Sequence, residues 1–485
     1  MDTDVIIIGG GITGLAAAYE LQVQAGAAGA PLNYTLLEGG RALGGKIVTE
    51  RTDGFVIEGG PDSFLSQKPE AAELCRRLGL GDELIGTNDA GRRVFVVSRG
   101  RLEAMPDGVM LIVPTRAWPF VTSRLISWPG KLRMGMELFI PPRRDEADES
   151  LGAFVRRRLG EEALAKIAGP MLSGIHSADP EEQSVLATFP RLRELEQQHG
   201  SLIRGMLAGI AQRATAPKPG QSGASPRSMF LSLRNGAAQL TEALGRALTG
   251  RVLHGARAIA VERVEAPGEP PRYRVRCADG SFHEAPALIL ATPAGASAEM
   301  LAGVAPRLAT ALRGIRYSTT ANISLGFRRN EVAHPLAGFG FMVPRREPYH
   351  IAACTWSSSK LAGRAPGDMV LLRCFLSGPH ADELVHLDDT ALVELALGDL
   401  EQLIGLRAVP RVARVFRWPQ ANPQYDVGHL ERVRSIRALA AEAGLDGLLL
   451  AGSAYDGVGV PDCIRQGQQA ARQVFELLSG ALHPA

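Results

Sequence analysis

Four consecutive apolar residues, Val5 to Ile8, stand between Asp4 and Gly9. A short apolar run without polar alternation suits a strand buried on both faces of a parallel sheet. The chain then passes through glycines into an alanine- and leucine-rich stretch over Gly9–Gly26, which predicts a helix. A second short run, Tyr34–Glu38, ends in a carboxylate. These pieces read as one βαβ unit. Further strands are predicted in Arg272–Gly280 and in Pro286–Pro293, the latter near a β-rich piece that rejoins the first sheet. Asp446–Gly452 predicts a strand leading through a glycine-rich turn into a last helix that contains Ile464–Leu478.

Between these lie two textures. Met105–Ala216 is mostly helix-compatible, and Glu149–Gly169 places apolar residues at i, i+3 and i+4 after a Glu-Ser start. Thr215–Arg227, rich in Pro, Gly and Ser, reads as a flexible connection. From Arg316 to Phe416 the runs ANISLGF, FGFMV, HIAACTW and MVLLRCF predict a mixed second sheet.

Composition narrows the class. At roughly 100–200 residues per domain, 485 residues make two to four structural units. Lys plus Arg (53) nearly balance Asp plus Glu (51), which argues against a generally basic nucleic-acid binder and an acidic disordered chain. Five cysteines without a C-x-x-C pair, and ten histidines without ligand spacing, support neither a disulfide framework nor a metal site. Asp2 and Asp4 follow Met1 where an export signal has basic and apolar regions, and no apolar run reaches the roughly 20 residues of a membrane span. The expectation is a cytoplasmic enzyme, monomer or homodimer. Between Gly91 and Arg144, ten basic residues meet three acidic ones, interleaved with Trp118, Phe120, Trp128 and Phe139. Such a stretch is compatible with peripheral contact to an anionic membrane surface, with steering of an anionic substrate, and with a plain solvated face.

Gly9-x-Gly11-x-x-Gly14 follows a predicted strand, opens a predicted helix and is followed by Glu38 at the end of the next strand. That context gives the glycines separate tasks: a tight turn, backbone approach to a pyrophosphate, and close helix–strand contact. Glu38 suits ribose hydroxyls and disfavours a 2′-phosphate. Three further loops, Arg41–Lys46, Glu58–Phe64 and Ala451–Gly467, suit the far half of a longer dinucleotide, and no second G-x-G-x-x-G follows a strand. FAD is favoured over NAD, with electrons passing on to oxygen.

Together, VIIIGGGITGLAAAYEL, RALGGK, LILATP and the last glycine-rich loop resemble the flavin monoamine-oxidase-type superfamily. Within it the chain resembles the protoporphyrinogen/coproporphyrinogen oxidases of haem biosynthesis over nearly its whole length. Ile57–Leu65, Pro170–Pro190, Phe416–His429 and Tyr455–Gly467 carry that likeness; Ile351–Trp356 and GVGVPDCI lean toward the Gram-positive-type coproporphyrinogen III enzyme. The resemblance implies an α/β fold with a Rossmann-like FAD-binding domain (1–64, 228–296, 444–485), a mixed-sheet substrate domain (65–89, 206–227, 297–443) and an inserted helical domain (90–205). It implies that Gly9, Gly10, Gly11, Ile12, Thr13, Gly14, Glu38 and Gly39 hold the pyrophosphate and ribose, with Ala258 against the adenine. Arg41, Gly45, Lys46, Gly60, Pro61, Asp62 and Ser63 then line the flavin half, and Trp418, Gly452, Val458, Gly459 and Val460 lie by the ring. His176-Ser177-Ala178 departs from the usual Tyr-Ala-Gly, and Gly39-Gly40 from bulkier residues.

The implied reaction converts a porphyrinogen to the porphyrin by three two-electron hydride transfers to flavin, releasing hydrogen peroxide. Coproporphyrinogen III is the favoured substrate and protoporphyrinogen IX the alternative. Two pocket residues are expected: Gly174, whose backbone approaches the macrocycle, and Lys68, a cation for a propionate. For His176 and His429 the sequence places no carboxylate at a spacing that requires a general-base role, and both stay unassigned. A flavin amine oxidase, a carotenoid desaturase and a non-enzymatic flavin-binding scaffold are the competing readings.

Overall fold

The computed structural model describes residues 3–88, 91–110, 112–171, 178–215, 228–265, 267, 271–378 and 381–482. Two compact units emerge, one from residues 1–87, 228–316 and 431–485, the other from 88–227 and 317–430.

In the first unit, Val5–Ile8 (β1) is buried at every position, Ile12–Ala28 forms α1, and Tyr34–Glu38 forms β2. β1 is central in a five-stranded parallel sheet ordered Arg251–His254, β2, β1, Ala287–Leu290, Leu448–Leu450. The register sets Ile8 beside both Leu37 and Leu290, so the carboxyl ends of these strands align and their loops share one edge. In such sheets ligands bind outside the carboxyl ends, where the strand order reverses. Arg272–Cys277 belongs instead to a separate antiparallel sheet with Ala258–Val264 and Phe282–Ala285. Its alternating burial fits that one-sided setting.

The C-terminal helix, Val460–Leu482, packs on α1. A Cβ at Gly467 would fall 2.2 Å from the Thr13 carbonyl oxygen, so only glycine permits this crossing. Residues 65–87, expected with the substrate-binding part, fall in this unit. Phe64–Leu65 and Leu84–Gly86 both pair with Phe230–Leu233, and Ala71, Leu74 and Cys75 of the Pro69–Arg77 helix join the core around α1.

The second unit is built on a seven-stranded mixed sheet. Its order is Val412–Pro423, Tyr317–Arg328, Met369–Leu376, Ala353–Trp356, Gly340–Met342, Val94–Ser98, Arg101–Ala104. Only Gly340–Met342 and Val94–Ser98 run parallel. One face packs Ile323, Cys374 and Trp356 beneath the Asp389–Ile404 helix, which Asp388 caps by accepting from Ala391 N at 2.8 Å. On the other face, Val96 and Met342 pack with Phe154, Val155 and Ile167 of the helical stretch. Sheet and helical stretch therefore share one unit.

Local details depart from the periodic pattern. Val109–Met110 and Val113–Pro114 form a small hairpin inside the stretch read as helical. Glu149–Gly169 breaks after Leu151–Arg158 and resumes as Glu161–Ala163 with a π-helical turn over Leu164–Ala168. Gly160 at φ 96° makes the break. Arg133 satisfies the carbonyls left there, donating to those of Arg156, Arg157 and Arg158 at 3.2, 2.8 and 3.2 Å. Among the described residues, no helix is long and apolar enough to cross a membrane.

Candidate functional site

The three glycines after β1 are needed for different reasons. Gly9 leaves the strand at φ 105°, and a Cβ there would sit 2.7 Å from the Ala291 carbonyl oxygen. A Cβ at Gly14 would fall 1.9 Å from the Gly9 carbonyl oxygen. Both positions are closed by packing. Gly11 is not: it is the N-cap of α1, it offers no side-chain cap, and the nearest atom to a Cβ there is Gly45 Cα at 4.0 Å. The first-turn N–H groups have no intrahelical acceptor, and no acid lies in that turn. Ile12 and Thr13 supply this turn, open to an anion.

Glu38 ends β2 with Oε2 accepting from Gly10 N at 2.7 Å and Oε1 from Gly40 N at 2.6 Å. A carboxylate offers about four lone-pair sites, so ribose hydroxyls are compatible with both contacts. Gly39 lies against Arg257, its would-be Cβ 3.6 Å from Arg257 Cα, and Ala256 N donates to the Glu38 carbonyl at 2.9 Å. Ala258 follows two residues on and opens its strand opposite Cys277. Glu38, Gly39 and the approach to Ala258 are thus brought to one end of the sheet.

The second glycine loop closes on the first. Gly44 N donates to the Gly10 carbonyl at 2.8 Å, and a Cβ at Gly45 would lie 3.1 Å from Gly11 Cα. Arg41 is exposed nearby in sequence. Burial pushes the Lys46 ammonium below its ordinary pKa. Gly60 is packed on Lys46, where a Cβ would reach 1.8 Å from its carbonyl oxygen. Pro61, Asp62, Ser63 and Val460 line a common cleft with Ile47, Ser232, Leu233 and Leu240. Ser232 Oγ donates to the Asp62 carbonyl at 2.6 Å. Gly452, at φ 133°, sits 3.8 Å from Thr13 Oγ1 as measured from a would-be Cβ, and its N–H donates to Gln466 Oε1 at 3.3 Å. Val458 and Gly459 lead into the C-terminal helix, where a Cβ at Gly459 would lie 2.9 Å from Asp462 Oδ2.

Lys68 is engaged. Its Nζ donates to both carboxylate oxygens of buried Asp462, at 2.7 and 2.6 Å. An external carboxylate has to compete with that bidentate pair. Asp462, Gln466 and Ser232 are site residues that sequence reasoning missed; Asp462 and Gln466 lie inside the last glycine-rich loop and helix start, and the Asp462 partner is 394 positions away while Gln466 bonds back to Gly452, 14 positions away. Trp418 belongs to the second unit, on its edge strand opposite Thr320, beside a bulge where Gln420 takes φ 43°. His429 is buried and stacked on Tyr425 at 3.8 Å between ring centroids. Gly174 and His176 lie outside the described residues.

An uncapped helix end after β1, an acid closing β2 and further glycine loops on the same sheet edge define a dinucleotide-binding protein. The chain belongs to the flavin-containing amine oxidoreductase family, which matches residues 12–475, and it is an FAD-dependent oxidoreductase. It is 36% identical to coproporphyrinogen III oxidase of Bacillus subtilis (strain 168) over 479 residues, 98% of each chain. Identity is also 36% to coproporphyrinogen III oxidase of Propionibacterium freudenreichii subsp. freudenreichii, over 97% of this chain and 90% of the relative. The crystal structure of a proposed protoporphyrinogen oxidase from Exiguobacterium sp. 255-15 is similar at TM-score 0.85 and 33% identity, covering 99% of both chains.

Proposed function

We propose that this protein oxidises coproporphyrinogen III to coproporphyrin III, with oxygen as the acceptor and hydrogen peroxide as the second product. The observation that carries the reading is full-length likeness to two coproporphyrinogen III oxidases, joined to a helix N-terminus at the sheet edge that has no side-chain cap and suits a pyrophosphate. Bound FAD supplies two-electron chemistry, so complete aromatisation of the macrocycle takes three turnovers on one site. The chain's own part is placement. The α1 N-terminus and Gly11 take the pyrophosphate charge, and Glu38 orients the ribose. Lys46 adds a positive charge whose desolvation an anionic cofactor offsets. The Lys68–Asp462 pair holds the Val458–Val460 turn. Protoporphyrinogen IX is the alternative substrate, favoured by the likeness to the Exiguobacterium structure. The test is to mix the FAD-loaded protein in air with each porphyrinogen separately and follow porphyrin fluorescence and peroxide. Faster turnover of coproporphyrinogen III with stoichiometric peroxide is expected; no porphyrin from either substrate sinks the reading.

A cytoplasmic location with peripheral membrane contact belongs to the same proposal. Trp118, Trp128, Leu132, Met136 and Phe139 are exposed within about two dozen positions, beside exposed Arg116 and Arg124. Aromatic side chains flanked by cations suit an anionic leaflet.

A further inference from the structure

The sheet of the second unit sets two cysteines face to face. In the antiparallel pairing of Ala353–Trp356 with Met369–Leu376, the register puts Cys354 directly opposite Cys374. Directly opposed residues of an antiparallel pair project from the same face, with Cα atoms roughly 4.5 or 5.5 Å apart according to the type of pair. Both separations fall within the roughly 4.4–6.8 Å that a disulfide spans. The Cβ atoms, about 4.5–5.5 Å apart in such pairs, have to close to about 4 Å, a movement small against the strand spacing. Both side chains belong to one buried cluster, on the face that Leu392, Ala396 and Leu400 of the Asp389–Ile404 helix cover.

The pair is in contact and chemically unspent. Cys354 and Cys374 are free thiols, 1% and 0% exposed, and the Cys374 thiol is hydrogen-bonded to Cys354. Cys354 directs its own S–H at the Thr355 carbonyl at 4.0 Å, which leaves its sulfur to accept from Cys374. A free cysteine packs as a small apolar residue, and that explains either position taken singly. The register adds the chemistry. Cys277, also on an antiparallel strand, faces Ala258, whereas here a second thiol stands where a sulfenic acid needs one.

The hydrogen bond to Cys354, burial and the negative charge of Asp399 push the Cys374 thiol well above its ordinary pKa. Because the thiolate is the reactive form, the native pair reacts slowly, and burial shuts out bulky reagents. The solvent edge is near for a small oxidant. Ala353–Trp356 is entered just after half-exposed His350, whose N–H and that of Ile351 donate to Asp399 at 2.7 and 2.9 Å.

We infer that Cys354 and Cys374 are a dithiol that hydrogen peroxide converts to a cross-strand disulfide. One sulfur takes an oxygen as the peroxide O–O bond breaks and water leaves, giving a sulfenic acid. The facing thiol attacks that sulfur, the S–S bond forms, and the S–O bond breaks with loss of a second water. Two thiols give up two electrons and two protons, and one peroxide becomes two waters. The facing thiol stops oxidation short of the sulfinic acid, which thiols do not reverse. The bond closes the chain over residues 355–373, a cross-link that stabilises by constraining the unfolded chain. Peroxide is the second product proposed above, but added peroxide serves equally and no porphyrinogen is required.

The test exposes FAD-loaded protein to hydrogen peroxide, quenches with catalase, unfolds in an alkylating reagent and maps the peptides by mass spectrometry with and without dithiothreitol. Exposure lasts about ten times the period that converts exposed Met136 to its sulfoxide, on the order of hours. Two of the five thiols are expected to be lost, with one peptide pair joined through Cys354 and Cys374 and released by dithiothreitol. Cys354→Ser and Cys374→Ser are each expected to form no intramolecular disulfide, with the remaining thiol of the pair over-oxidised. The wild-type map decides even where a serine variant does not fold. Cys354 and Cys374 both still free after Met136 is the sulfoxide, either one found as a sulfinic acid, or either one joined to a different cysteine overturns the inference. No substrate is present, so each result is independent of the functional reading.

Discussion

Gly11 and Gly14 stand in one motif, yet the structure separates what each glycine does. A methyl at Gly14 collides with the Gly9 carbonyl, whereas a methyl at Gly11 meets only Gly45 Cα, at an unstrained 4.0 Å. Gly14→Ala is therefore expected to lower the stability of the apoprotein by about 1–3 kcal/mol, the usual cost of overpacking. Gly11→Ala is expected to leave apoprotein stability within about 0.5 kcal/mol while weakening FAD binding at least tenfold. Thermal midpoints and flavin titration of the apoproteins check both, and equal stability loss in the two variants counts against the assignment. The cysteines give a second prediction. All five are buried, and burial pushes the thiols of Cys75 and Cys463 up to about 12 and about 11. Native protein at pH 8 is expected to react with no aromatic disulfide reagent, and denatured protein to give five thiols. Because these folded-state values lie above the ordinary thiol value near 9, their contribution to stability is complete below pH 9 and is lost as pH rises through 11 to 12.

Among the elements, the helical stretch depends on buried charge that its sequence pattern conceals. Glu137 is fully buried and pairs with fully buried Arg158. It also accepts from Ser201 Oγ at 2.6 Å and from Leu202 N at 2.7 Å, and so caps the Leu202–Thr215 helix. Glu137→Ala leaves the buried Arg158 guanidinium only its longer ion pair to Glu196 at 3.6 Å, together with an uncapped helix end, an expected loss of about 3–5 kcal/mol. Removing both partners in Glu137→Leu with Arg158→Met should recover much of it. Denaturant midpoints of the single and double variants decide; a double variant no better than the single shows that the pair is not the source. The helix crossing at Gly467 and Thr13 follows the same logic without charge, since contact there excludes even one methyl.

For the whole molecule, a net charge of +2 conceals segregation, with seven excess positive charges between Gly91 and Arg144. Not all of them face solvent freely. Lys131 donates to the Val121 and Ser123 carbonyls at 2.6 and 2.7 Å and lies 4.5 Å from the Trp128 ring centroid, and Arg133 binds a helix C-terminus. The apolar members are more telling: Trp118 is 76% and Phe139 81% exposed. Trp118→Ser with Phe139→Ser is expected to cut co-sedimentation with anionic vesicles about tenfold or more, from roughly 1.5–3 kcal/mol per buried aromatic, without changing turnover of a soluble porphyrinogen. Vesicle binding that is absent in wild type even at low salt removes the membrane proposal.

The sequence by itself determined whatever depends on neighbours a few positions apart. The run Val5–Ile8, the turn through Gly14, the carboxylate at Glu38 and the strand-like runs of the second sheet all follow from local periodicity and backbone freedom. Tertiary structure alone decided which distant pieces meet. It put Lys68 on Asp462, bent the chain at Gly160, buried Glu137 against Arg158 and set Cys354 opposite Cys374. Period-two alternation says which residues of one strand share a face, but the choice of neighbouring strand and its register is fixed by burial summed over the whole core, and no short window of sequence contains that sum.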